Sequence, residues 1–206
     1  MTATNQTIPD NEIIPLSLRG PAPTAVVVGY GFWLYLLSDI LLFASLFAAY
    51  AVLSGETAGG PNGATLFDKK HVFIETACLL TSSFTCGLGA LAIRRFDTVW
   101  AYLWMGATFA LGFMFLKLEV SEFSAMIAVS NGPSRSAFLS AFFALVGTHG
   151  IHVTVGLCWL VIMMLQIATL GLHPMVRRRL FCFGLFWHAL DIVWVGVFTI
   201  VYLGAH

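Results

Sequence analysis

Five long apolar runs alternate with short polar stretches along the chain, at about 29–53, 72–93, 99–118, 137–170 and 180–203. An α-helix rises about 1.5 Å per residue, so about 20 mostly apolar residues cross the ~30 Å of hydrocarbon in a bilayer. Each run predicts a transmembrane helix. The fourth is longer than a bilayer requires, so it tilts, projects into water or begins with an interfacial turn. The connections "SGETAGGPNGATLFDKKH", "RRFDT", "VSNGPSR" and "GLHPMVRRR" carry the residues that turn chains. The reading is an all-α membrane protein. A polar tail over 1–28 precedes one five-helix bundle over 29–206, with no hidden soluble domain and no repeat period.

Composition agrees with this. Hydrophobic residues make up 59% of the 206 and charged residues only 10%, against roughly 25% in soluble domains. So few charges cannot cover a water-exposed surface. The net charge of zero gives no reason to expect nucleic acid as a partner. Five crossings put the termini on opposite sides. One side receives six basic residues, Arg19, Arg94, Arg95, Arg177, Arg178 and Arg179. The other receives four, Lys69, Lys70, Lys117 and Arg135, together with Glu56, Asp68, Glu119 and Glu122. The positive-inside bias therefore places the N-terminus in the cytoplasm and the C-terminus in the periplasm.

Cys78, Cys86, Cys158 and Cys182 all fall in apolar runs, outside any Cys-x-x-Cys pair, and read as buried, unreactive thiols. The tail is polar and proline-punctuated, without a short apolar core and cleavage site, so the first run reads as a retained anchor. Small residues recur at helical spacing as Ala44–Ala48, Ser45–Ala49 and Ser82–Cys86–Ala90, and Gly147, Gly150 and Gly156 thin the fourth helix. Such faces let helix backbones approach closely in lipid.

Ionisable groups inside a span cost about 2.5–3.5 kcal/mol on insertion scales. Six stand there: Asp39, Glu75, His149, His152, His188 and Asp191. His149 and His152 are three apart in "THGIHV" and share a helix face, as do His188 and Asp191 in "FWHALDIVW". Three histidines and an aspartate have the donor chemistry for zinc or non-heme iron, and His149 with His188 that of a bis-histidine heme. Metal-bound imidazoles also need second-shell partners. The bland alternative is that these groups satisfy one another across helices, and a third is that they conduct protons. The short connection near 171–179 favours antiparallel packing of the last two helices, so the two pairs are expected to meet. Glu119 and Glu122, in "LKLEVSEF", read as a hydrated helix end with Lys117 or Arg135 nearby.

"RSAFLSAFFALVGTHGIHVTVGL" and "LFWHALDIVWVGVFTIVYLGA" resemble subunit III of the heme–copper respiratory oxidases. "GFWLYLLSDILLFASLFAAYAVL" and "KLEVSEF" resemble its earlier helices, and the likeness runs from about Gly31 to the C-terminus. "AVLSGETAGGPNGATLF" and "NGPSRSAFLSAFFALVGTHGIHV" are most similar to the cytochrome bo-type ubiquinol oxidase branch. The five-helix plan fits that branch, whereas mitochondrial-type chains have seven. In related quinol oxidases the large catalytic subunit supplies the first two. Asp39 falls where mitochondrial-type chains carry a glutamate.

The resemblance implies an accessory subunit with no catalytic centre of its own. It would sit in a bacterial inner-membrane complex that oxidises ubiquinol, reduces oxygen to water and pumps protons. Heme b, heme o and copper are then expected in partner subunit I, which this chain would stabilise. Subunits II and IV and membrane phospholipids are further expected partners. The rival readings are a membrane redox protein with its own His-ligated heme or metal, and a small proton-conducting transporter. Transporter folds usually show inverted repeats and broken helices; neither is visible in the sequence.

The charge asymmetry yields a test. A maleimide that cannot cross the membrane, added from the periplasm, is expected to label Asn62→Cys and to miss Arg178→Cys. The reverse pattern would invert the topology.

Overall fold

In hydrocarbon every backbone N–H and C=O needs a partner within the segment, so the apolar runs can span only as helices. A computed structural model describes residues 23–58 and 69–204. Arg19, Asp68 and His206 lie outside the described residues, as does the side chain of Lys69. The helices are α1 (Thr24–Leu53), α2 (Lys69–Arg94), α3 (Thr98–Ala128), α4 (Ala137–Leu170) and α5 (Pro174–Val197), the last continuing as a π-helix over Phe198–Leu203. All five are long and apolar enough to cross a membrane, and no strand occurs among the described residues.

Local chemistry sets the ends. Asp97 caps α3 by accepting from the Trp100 N–H at 3.3 Å, and Ser136 caps α4 by accepting from Leu139 at 3.2 Å. Pro174 opens α5 at a first-turn position, where a missing N–H costs nothing. The helix thus starts upstream of the apolar run at 180, and Arg177, Arg178 and Arg179 belong to its first turns. α3 in turn runs past residue 118 to Ala128, because Lys117, Glu119 and Glu122 interrupt the apolar pattern without breaking helical geometry. It ends where Ser130 takes φ 60° and the Asn131 N–H bonds back to the Met126 carbonyl at 3.0 Å. α2 ends the same way, with Phe96 at φ 58° and the Asp97 N–H on the Ala92 carbonyl at 3.1 Å. At the end of α4 a glycine does this work, Gly171 at φ 64°.

α2 and α3 form a closely packed hairpin, α4 packs on α3 and α5, and α5 packs on α2. α1 lies to one side, against α4 and α5. The small-residue faces divide accordingly. Ser82 and Cys86 are buried, but Ala44, Ser45, Ala48, Ala49 and Ala90 are exposed, so the α1 stripe packs against nothing among the described residues. The reading of four buried thiols needs correction too. Cys86 and Cys182 are buried and Cys78 is half-buried, but Cys158 points outward from α4, since an apolar run in lipid has an outer face as well as an inner one.

The centre of the bundle is aromatic. Trp187, Trp194, Phe115, Phe142 and Phe183 are fully buried. The Trp187 indole is wedged between α3 and α4 at two glycines. A Cβ on Gly112 would come within 2.9 Å of its ring, and so would one on Gly156. Gly112→Ala is therefore expected to destabilise the bundle by about 1–3 kcal/mol, the usual cost of overpacking a filled core. That loss would outweigh the ~1 kcal/mol of helix propensity that alanine brings. Thermal unfolding in detergent measures the balance, and a gain in stability would contradict this packing.

Candidate functional site: an intramembrane polar network

The polar residues of the spans form layers rather than one cluster. His149 of α4 is fully buried, and its Nε2–H donates to the Leu190 carbonyl of α5 at 3.3 Å. A carbonyl only accepts, so Nε2 carries the proton; Nδ1 has no hydrogen-bond partner among the described residues. The ring sits against Phe43, Phe115 and Trp194, with centroids 6.4, 5.7 and 5.0 Å away. His152, one turn on, faces α1 instead. Its Nδ1–H donates to the Thr148 carbonyl at 2.8 Å, and its Nε2 stands 4.0 Å from Asp39 Oδ2.

His188 looks the other way, toward α2. Its Nδ1 lies 2.7 Å from the Ser83 hydroxyl, and Ser83 also neighbours the Asp191 carboxylate. Asp191 Oδ1 accepts no hydrogen bond among the described residues, and His188 is exposed on the outer face of this chain. The two pairs expected to meet are thus distributed over three interfaces. α4 does lie beside α5, but the link is His149 to a backbone carbonyl between His188 and Asp191 in sequence. Three residues apart on a helix still means about 60° of rotation. With α4 flanked by α1 on one side and α5 on the other, that angle sends the two imidazoles to different neighbours.

A further layer lies at the opposite end of α2 from the arginines. Glu75 and Glu119 are buried, and none of their carboxyl oxygens has a hydrogen-bond partner among the described residues. His71 Nε2 stands 3.7 Å from Glu75 Oε1, and Tyr202 Oη donates to Glu122 Oε2 at 3.3 Å. Glu119 corrects the hydrated-end reading. Its carboxyl lies against α4 at Gly150, where a Cβ would come within 2.7 Å of Oε1. The glycine spacing of α4 marked a close approach, but nothing in the sequence marked a carboxylate as what approaches.

Another set of polar groups was legible only as small residues. The Trp187 indole N–H donates to Ser82 Oγ at 3.1 Å, and the Trp194 indole N–H to Thr76 Oγ1 at 3.1 Å. The Thr85 and Thr108 hydroxyls are 2.9 Å apart. Hydroxyls on α2 thus receive α5 on one side and α3 on the other. The signal was serines and threonines at helical spacing opposite two tryptophans.

Ligand chemistry can be judged on this geometry. Among the described residues no three His, Cys, Asp or Glu side chains converge as metal ligands. His149 Nε2 is committed to a carbonyl and its ring is enclosed by aromatics, so His149 and His188 do not frame a heme between them.

The arrangement defines a polytopic helical membrane protein whose internal polar groups tie helices together. Residues 14–206 match the family described as cytochrome c oxidase subunit III, and the chain belongs to that family. It is 53% identical to the cytochrome bo(3) ubiquinol oxidase subunit 3 of Pseudomonas aeruginosa over 174 residues, covering 84% of this chain and 83% of the relative. Identity is 42% to the quinol oxidase subunit 3 of Bacillus subtilis, covering 84% and 85%. It is 44% to a cytochrome c oxidase subunit 3 of Bacillus sp. PS3, covering 84% of each.

The indole bonds generate a prediction. Ser82→Ala leaves the buried Trp187 N–H unpaired and is expected to cost about 1–3 kcal/mol. Ser82→Thr, which keeps the oxygen, is expected to cost much less. Unfolding followed by tryptophan fluorescence compares them; equal losses would assign the effect to volume.

Proposed function

We propose that this chain is the accessory subunit III of a proton-pumping terminal ubiquinol oxidase, with no catalytic centre of its own. It packs against and stabilises the catalytic subunit I in a bacterial inner membrane. Subunits II and IV complete the complex, and heme b, heme o and copper reside in subunit I. The N-terminus faces the cytoplasm. The observation that carries this reading is the 53% identity to a ubiquinol oxidase subunit 3 over most of both chains.

The polar layers support it. His188 lies near the middle of the span of α5, is exposed in the isolated chain, and has one ring nitrogen on Ser83. An imidazole at that depth facing lipid is costly, and such groups normally face protein. The α2–α5 face around Ser83, His188 and Asp191 is accordingly the surface turned toward a larger neighbour.

Capture through an affinity tag on this chain is expected to bring down a large heme-bearing subunit in constant ratio. Asp191→Leu, which removes a hydrogen-bonding group, is expected to weaken that association by about 1–3 kcal/mol, with Asp191→Asn close to wild type. Normal capture with a severe loss of oxygen consumption in Asp191→Asn would instead favour a proton-conducting role. A Soret band on the isolated chain, lost in His149→Ala, would favour a redox protein with its own heme.

A further inference from the structure

We propose that Glu75 and Glu119 form a buried proton-binding site, loaded through His71 from the aqueous face at which α2 begins. The two acids stand on the paired helices of the α2–α3 hairpin, 0% and 2% exposed. Glu119 lies within electrostatic reach of Glu75 and of Glu122. All four carboxyl oxygens of Glu75 and Glu119 lack a hydrogen-bond partner among the described residues. The basic group within ion-pair distance is His71, whose Nε2 stands 3.7 Å from Glu75 Oε1. Lys70 and Lys117 are exposed.

A carboxylate without partners is among the costliest groups to bury, and two of them close together also repel. A bound proton cancels one charge and turns an acceptor-only group into a donor. The fold makes room for these acids rather than excluding them. The Glu119 carboxyl fills the notch that Gly150 leaves in α4, and His149 beside that glycine is turned to the Leu190 carbonyl. Beyond α5 the chain winds as a π-helix over Phe198–Leu203, a form found frequently at functional sites. Tyr202 in that turn is buried and within electrostatic reach of all three glutamates, its hydroxyl donating to Glu122 Oε2. Side chains of α2, α3 and the π-helix thus converge on the pair.

The surroundings make this a store rather than a conduit. His71 lies one turn before Glu75, and its side chain is 37% exposed, so the imidazole meets water. In loading, the imidazolium gives its Nε2 proton to Glu75 Oε1, after a small rotation or through one bridging water. The neutral ring then takes a proton from solvent, an exchange that histidine performs near neutral pH. Toward the centre of the bundle the path ends. The next turn inward holds Leu79 on α2, Phe115 on α3 and Trp194 on α5, all buried. The Trp194 N–H is given to Thr76 Oγ1, and the His149 ring packs on Phe115 and Trp194.

The test uses the whole complex captured through a tag on this chain, with infrared spectroscopy of the carboxylic acid C=O stretch. Growth on glutamate carrying ¹³C in its side-chain carboxyl separates glutamate bands from those of Asp39 and Asp191. At pH about 7 a solvated glutamate, with a pKa of about 4.3, is ionised, so a neutral-acid band there reports a bound proton. That band is expected to be lost or shifted in both E75Q and E119Q. In H71F it is expected to remain, while its exchange into D2O slows about 100-fold, the lower end of what a positioned proton-transfer group contributes. The H71F comparison decides the matter if the glutamine variants do not assemble. A band unchanged in either glutamine variant, or exchange unchanged in H71F, would overturn the proposal. A proton leak across reconstituted vesicles that falls in E75Q would do so too, by making the pair part of a conduit.

Discussion

The bundle depends on how one indole is seated. Trp187 presses its ring edge into the backbones of α3 and α4 at Gly112 and Gly156, and its N–H meets a hydroxyl on α2. One side chain of α5 thereby fixes its distance to three other helices. In lipid there is little hydrophobic gain from bringing helices together, so packing and hydrogen bonds must supply it. A large rigid ring that fills two glycine notches supplies the packing. Its single donor, satisfied inside the bundle, sets rotation and depth.

The same constraint explains the distribution of ionisable groups. An unpaired polar atom in hydrocarbon is expensive, yet hydrogen bonds between helices are individually weak. The structure distributes the histidines over three interfaces: His149 bonds between α4 and α5, His152 stands near Asp39 between α4 and α1, and His188 bonds Ser83 between α5 and α2. Each aligns a pair of helices. None needs a metal to be held in place. Relatives of similar identity are named for quinol and for cytochrome c as electron donor.

Five helices were legible because crossing hydrocarbon demands long apolar runs, and the resemblance of "THGIHV" and "FWHALDIVW" pointed to the family. Which residues touch was less legible. Periodicity places His149 and His152 on one face but cannot say that two different helices flank it. Glu119 looked hydrated because Lys117 and Glu122 surround it in sequence. Its burial depends on Gly150, 31 residues away on another helix, and on α3 running past residue 118. The hydroxyls on α2 looked like spacers because a serine is both small and a hydrogen-bond acceptor, and only the tryptophans opposite distinguish the two uses.

The placement of α1 bears on how the protein is made. Consecutive helices usually pack together, yet α1 skips α2 and α3 and rests on α4 and α5. During synthesis it enters the membrane first and lacks its main neighbours until the last two helices emerge. The α2–α3 hairpin, closed by a three-residue turn, can form in the meantime. Asp39 therefore faces lipid without its histidine for most of translation. The first helix must be stable alone, which accounts for a long apolar span whose two serines, Ser38 and Ser45, bond back to their own backbone. Docking of α1 is the closing step of the chain's assembly, and any defect in α4 or α5 leaves the oldest part of the protein unmoored.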